Sequence, residues 1–106
     1  MPATMQDFKA ELFRALANPV RIRILEVLRE SGSLTVSEIQ QRVGVEPSNV
    51  SQHLSVLRGH GLVATRREGT SIWYSVASPE LFKLLDVARA IFERQLTAQT
   101  RMLKAT

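Results

Sequence analysis

Residues 35–59, TVSEIQQRVGVEPSNVSQHLSVLRG, decide how this chain folds. Thr35 and Glu38 stand at the spacing that lets a hydroxyl and a carboxylate satisfy each other's free backbone amides, the capping box that opens a helix. That helix is short. It ends at Val43, because Gly44-Val45-Glu46 forms a tight turn and Pro47, suited to a first helical position, opens another helix running to about Arg58. Gly59-His60-Gly61 ends the run. Two short helices across a three- or four-residue turn containing glycine make a helix-turn-helix motif, here about 35–59.

The second helix carries the chemistry. At 100° per residue, Val50, Leu54 and Leu57 share one arc, and Ser48, Ser51, Gln52 and Ser55 occupy the opposite one. Solvent faces of helices are ordinarily filled with Lys and Glu, which are good helix formers, whereas Ser and Asn weaken a helix. An uncharged face of hydroxyls and amides therefore needs a reason. The major groove of duplex DNA supplies one, since Asn or Gln pairs bidentately with adenine and each good pair discriminates by ~1–3 kcal/mol. The bland alternative is a low-propensity helix held by packing. His53 lies at the edge of the apolar arc, where a core-edge or phosphate role fits better than metal ligation, because no second His or acid stands at ligand spacing. His60, between two glycines, reads as solvated.

Outward from the motif, Phe8, Leu12, Phe13 and Leu16 form the stripe of a first helix that stops at Asn18-Pro19. Asn18 can cap a second helix, Pro19 to Glu30, with core stripe Val20, Ile24, Val27 and Leu28; Ser31-Gly32 stops it. Leu34 suits a very short strand. On the other side, Leu62 to Thr65 and Ile72 to Val76 read as paired strands around Arg67-Glu68-Gly69-Thr70. Arg58, Arg66 and Arg67 then form a basic loop region beside the reading helix, able to neutralise phosphates or enter the minor groove. A solvated hairpin tip, with Glu68 balancing one arginine, is the alternative. Ser78-Pro79 begins a last helix with a long, narrow stripe of Leu81, Leu84, Leu85, Ala88, Ile91, Phe92, Gln95 and Leu96, and the tail beyond Met102 is expected to fray.

The 106 residues suffice for one domain, 1–106, and composition sets the outer limits. With 44% hydrophobic and 23% charged residues, five glycines and four prolines, the chain is globular in character. It has no cysteine, which removes disulfides, thiolate metal sites and thiol nucleophiles together. No segment approaches the ~20 apolar residues of a bilayer span, and residues 1–10 show no secretory signal, so a cytoplasmic protein without a membrane partner is expected. The net charge of +4 suits a polyanion partner, but it is spread evenly: +5/−4 over 1–31, +4/−3 over 32–78 and +5/−3 over 79–106. Placement must carry the functional argument.

Three segments follow one another in a familiar order: Ala15-Leu16-Ala17-Asn18-Pro19-Val20-Arg21-Ile22-Arg23-Ile24-Leu25, Val50-Ser51-Gln52-His53-Leu54 and Arg66-Arg67-Glu68-Gly69. From about Phe8 to Leu96 the chain resembles the ArsR (arsenic-repressor-type) family of bacterial transcriptional regulators. The resemblance implies a winged helix-turn-helix homodimer that represses its own operon and releases DNA when an effector binds. It further implies that Ser48, Asn49, Ser51, Gln52 and His53 face DNA and that Arg66 and Arg67 belong to the wing. Thr70 stands among these candidate contacts where a second wing cation is frequent. Where metal-sensing members place two thiols, this chain has Thr35 and Ser37, and hydroxyls cannot replace thiolates for soft ions. The family's other metal site, on the last helix, needs Asp and His from both subunits; here Asp86 precedes Val87 and Ala88, residues 79–106 contain no histidine, and Asp86 reads as a solvated helix acid. No metal or other cofactor is therefore expected, and no residue identifies an effector.

The expected architecture is mainly α with a β-hairpin (α+β): a winged helix-turn-helix, wing about 62–77, with terminal helices about 5–17 and 79–103 forming a dimer interface. Phe8, Leu12, Phe13, Leu84, Leu85, Ala88, Ile91, Phe92 and Leu96 are the candidate two-fold seam, although the end helices could instead pack within one chain. The functional expectation is a sequence-specific, homodimeric repressor on a double-stranded, inverted-repeat operator. A winged-helix module docking proteins is the competitor, but residues 48–55 carry none of the aromatic or Met anchors such a surface uses. An enzyme fares worse, lacking clustered His, a glycine-rich phosphate loop or a readable acid pair.

Overall fold

Side-chain caps start the first three helices where the sequence places them. In a computed structural model, which describes residues 2–105, the Thr4 hydroxyl accepts from the Asp7 amide at 3.0 Å and opens α1 (Met5–Leu16). Asn18 Oδ1 accepts from the amides of Val20 and Arg21, at 2.9 and 3.2 Å, and opens α2 (Pro19–Ser31). After β1 (Leu34–Thr35), the capping box closes in both directions: the Glu38 amide donates to Thr35 Oγ1 and the Thr35 amide to Glu38 Oε1. It opens α3 (Val36–Val43), which Gly44 ends in the left-handed conformation at φ 78°.

Helix α4 (Pro47–Gly59) follows, then β2 (Val63–Glu68), β3 (Ser71–Val76) and α5 (Glu80–Ala105). The three strands form one antiparallel sheet in the order β1-β3-β2, with Leu34 opposite Tyr74, and Val63 through Glu68 running opposite Val76 through Ser71. Helix α2 is the hub. Its Ile24, Leu25, Val27 and Leu28 are buried in one core with Ile39 of α3, Val50, Leu54 and Leu57 of α4, Leu34 and Val63 of the sheet, and Leu62 just before β2. Contact on several sides makes its buried stripe broader than the sequence indicates, so Leu25 joins the core while Val20 stays half-buried.

Two expectations need correction. The wing strands are longer than read, so Arg66 and Arg67 lie inside β2 and not in a loop; the turn shrinks to Gly69-Thr70, with Gly69 at φ 61° supplying the conformation a two-residue hairpin needs. The last helix does not fray at Met102 but continues to Ala105. It also leaves the body of the molecule: Leu81 is buried and Leu84 and Leu85 pack against the core, but every described residue from Asp86 onward is exposed. The projecting helix stretches the molecule to 61 × 37 × 22 Å and its radius of gyration to 16.5 Å, against the ~13 Å of a compact chain this long. No helix among the described residues is long and apolar enough to cross a membrane.

Candidate nucleic-acid interface

The polar face of α4 points outward because its opposite face is anchored. Val50 and Leu57 have no exposed surface and Leu54 has 1%, so the rotation of the helix about its axis is set by the core. That rotation turns Ser48, Asn49, Ser51, Gln52, Ser55 and Arg58 outward into solvent. None of their side chains is engaged in a hydrogen bond or ion pair among the described residues, which leaves their hydrogen-bonding capacity to solvent or a ligand. No side chain caps the first turn of α4 either, in contrast to α1, α2 and α3.

His53 behaves as its position at the edge of the apolar arc suggests. It is half-buried, and burial, helped by the nearby Arg21 charge, pushes its pKa below the ordinary value. A neutral imidazole, a donor or acceptor but not a cation, therefore borders the polar face at neutral pH. His60 is exposed, with its Nδ1 2.9 Å from the Val56 carbonyl oxygen, a local contact beyond simple solvation.

The wing divides its two arginines between opposite faces of β2, because successive strand residues alternate. Arg66 shares a face with Glu68 and donates to its carboxylate at 2.9 Å, while its guanidinium sits 5.9 Å from the ring centre of Trp73, its cross-strand partner. Arg67, opposite Ile72, has no ion-pair partner among the described residues. The pairing of Glu68 with one arginine is thus realised at Arg66, leaving Arg67 as the freer wing cation. Thr70 is exposed at the tip. One charged residue escaped the sequence reading: Arg21 on α2, close enough to α4 to act on His53. Its signal was a cation at the edge of an apolar stripe, 100° round from Val20 and 20° from Leu28.

The seam residues divide as well. Leu12, Leu84 and Leu85 pack partly against their own core, while Phe8, Phe13, Ala88, Ile91, Phe92 and Leu96 are exposed, Phe92 by 61%. Phe8, Leu12, Leu81 and Leu84 also line a half-open cleft of about 510 Å³ between α1 and the start of α5.

Comparison with known proteins matches residues 16–66 to a helix-turn-helix domain family. The HTH-type regulator Rv0081 of Mycobacterium tuberculosis H37Rv is 46% identical over 94% of this chain and 88% of its own length. Its crystal structure superposes with a TM-score of 0.82, covering 91% of this chain and 96% of that one. The chain belongs to the ArsR family of winged helix-turn-helix transcriptional regulators. Among structures of this ArsR type, the homodimeric winged helix-turn-helix DNA-binding domain of a possible ArsR-family regulator from Mycobacterium bovis superposes with a TM-score of 0.78 at 32% identity, covering 87% of this chain and 84% of that one. Relatives named for opposite effects match similarly. A probable mercury resistance operon repressor of Streptomyces lividans is 37% identical over 86% of this chain and 72% of its own length, and the transcriptional activator HlyU of Vibrio cholerae 35% over 76% and 74%.

Within this ArsR-family chain, Asp86 is exposed, as the sequence suggested, but it is also paired. Arg29 of α2 grips it bidentately, Nη1 to Oδ1 at 2.6 Å and Nη2 to Oδ2 at 3.0 Å, and lies 4.9 Å from the ring centre of Phe82. The hydrogen bonds from Arg29 hold the Asp86 carboxyl below its ordinary pKa. This contact ties the base of α5 to the hub helix.

Proposed function

We propose that the chain is a homodimeric repressor that reads an inverted-repeat DNA operator through α4. The observation that carries this is the outward, uncharged face of Ser48, Asn49, Ser51, Gln52 and Ser55 over a floor of fully buried Val50, Leu54 and Leu57. Hydroxyls and amides on a helix of fixed rotation match the donors and acceptors along base edges in a major groove. Gln52 is the strongest candidate for a bidentate contact. His53, Arg58, Arg66, Arg67 and Thr70 border that face or the wing and supply backbone contacts, which position the protein without choosing sequence.

Two copies are needed because recognition helices must lie ~34 Å apart to enter successive major grooves on one side of the duplex. Phe8, Leu12, Phe13, Leu84, Leu85, Ala88, Ile91, Phe92 and Leu96 form the seam. Support comes from the exposure of Phe8, Phe13, Ala88, Ile91, Phe92 and Leu96 in the single chain, from the projecting α5, and from the homodimeric state of the Mycobacterium bovis relative. Any effector would have to act by binding one dimer geometry better than another, and not through soft-metal thiolate ligation, because the chain has no cysteine.

The test is a titration of the purified protein with its own upstream DNA, following Trp73 fluorescence across a salt series, with sedimentation to give the oligomeric state. Saturable, sequence-dependent binding by a dimer, weakening steeply with salt, is expected. A monomer at high concentration, or salt-independent affinity, overturns the proposal. A reporter gene behind the same DNA separates repression from activation.

A further inference from the structure

Arg21 has no hydrogen-bond or ion-pair partner for its side chain among the described residues. It is the third residue of α2, half-buried where α2 meets α4, and takes part in none of the ion pairs among the described residues. Its Nε is buried without a hydrogen bond, alone in this among the side-chain nitrogens and oxygens of the described residues. A guanidinium stays charged and presents five donors in a rigid fork. Leaving one of them buried and unmatched costs stability. The terminal nitrogens of this half-buried side chain also make no hydrogen bond or ion pair among the described residues, and they, not the buried Nε, are the donors an outside acceptor can reach. The charge lies near the reading face: Arg21 acts on His53, which adjoins Gln52. Burial there keeps the imidazole neutral at neutral pH, so Arg21 is the cation of the pair.

We propose that Arg21 binds a DNA backbone phosphate beside the reading helix. With the polar face of α4 in the major groove, a strand bordering that groove runs along the α2 side of α4, and its phosphate oxygens supply acceptors that the protein withholds. A planar fork suits a phosphate better than a point charge does. Arg21 therefore contributes affinity and register, and Gln52 contributes base choice. The inference rests on the DNA-reading assignment of α4.

The experiment compares the full chain with Arg21→Gln and Arg21→Met on its own upstream DNA at several salt concentrations, together with thermal unfolding without DNA. Both variants are expected to bind every sequence more weakly with unchanged base preference, to lower the slope of log affinity against log salt by ~0.9 for the one lost phosphate contact, and to unfold at the same or a higher temperature. Unchanged affinity and salt slope overturn the proposal, as does a lower unfolding temperature with an unchanged slope, which marks a purely structural arginine. Should neither variant fold, the unmodified protein is titrated with duplexes neutralised at single phosphates by methylphosphonate. Loss of binding at a phosphate bordering the groove supports the assignment, and indifference to all of them overturns it. If the unmodified protein binds no DNA, the reading of α4 falls and this inference with it; binding by the unmodified protein with indifference to Arg21 removes this inference alone.

Discussion

Helix α4 and helix α5 both leave a long face uncovered in the single chain, and the two faces are chemically opposite. On α4 the uncovered side is hydroxyl and amide, over a floor sealed into the core. On α5 the uncovered side carries Val87, Ile91, Phe92 and Leu96, and every described residue from Asp86 onward is exposed. Water tolerates the first face at little cost, whereas exposing the second forfeits ~25 cal/mol per Å² of apolar surface left wet. The α4 face can therefore stay open to water, whereas the α5 face gains stability from being covered. On the proposed function, α4 serves recognition and α5 serves spacing.

The contrast breaks most visibly at the seam. Replacing both exposed side chains, Ile91→Glu with Phe92→Glu, is expected to dissociate the dimer while each chain stays folded, and to lower operator affinity by about 10²–10⁴-fold as two linked contacts become independent. Sedimentation together with DNA titration checks this; a dimer that survives would move the seam elsewhere. Next in size, Gln52→Ala should cost ~1–3 kcal/mol of binding and relax base preference at one position of each half-site, leaving the unfolding temperature nearly unchanged. Selection of preferred sites from random DNA measures it, and an unaltered preferred sequence would show that the polar face does not read bases.

A smaller effect is expected in the wing. Arg67→Ala should weaken all sequences about equally and lower the salt slope by ~0.9, and Arg66→Ala should do less, because Arg66 is already committed to Glu68 and Trp73. Equal effects of the two would mean that DNA breaks the Glu68 pair. The smallest effect belongs to Asp86→Asn at the base of α5. Because the Asp86 pKa is lower in the folded chain than in the unfolded one, the carboxylate stabilises the fold above its unfolded pKa, and that contribution disappears as pH falls through the folded value. The gap in unfolding temperature between the natural chain and the variant should thus be small near neutrality, since the pair is exposed, and close in acid. A gap that persists in acid would locate the role of Asp86 in packing.

The capping box at Thr35, the Asn18 cap, the Gly44 turn and the buried line Val50, Leu54 and Leu57 were all legible because each depends on residues a few positions apart. The outward set Ser48, Ser51, Gln52 and Ser55 followed from helical spacing alone. The sequence misjudged the wing at its turn, where Arg66, Arg67 and Glu68 carry no strong strand preference and pair only because Trp73, Ile72 and Ser71 stand opposite. It did not show the partner of Asp86, Arg29, 57 residues away, nor the unmatched Nε of Arg21, evident only once α2 lies against α4.

Local order by itself determined where helices start and stop, which side of each is apolar and which residue types α4 offers outward, because caps and periodicity act within a turn or two of chain. Tertiary structure decided which charges are paired, how far the hairpin extends, and how much of α5 the body of the molecule can cover. Those outcomes depend on contacts between segments distant in sequence, and ion pairing and burial take their energies from the neighbours that folding brings within a few ångströms.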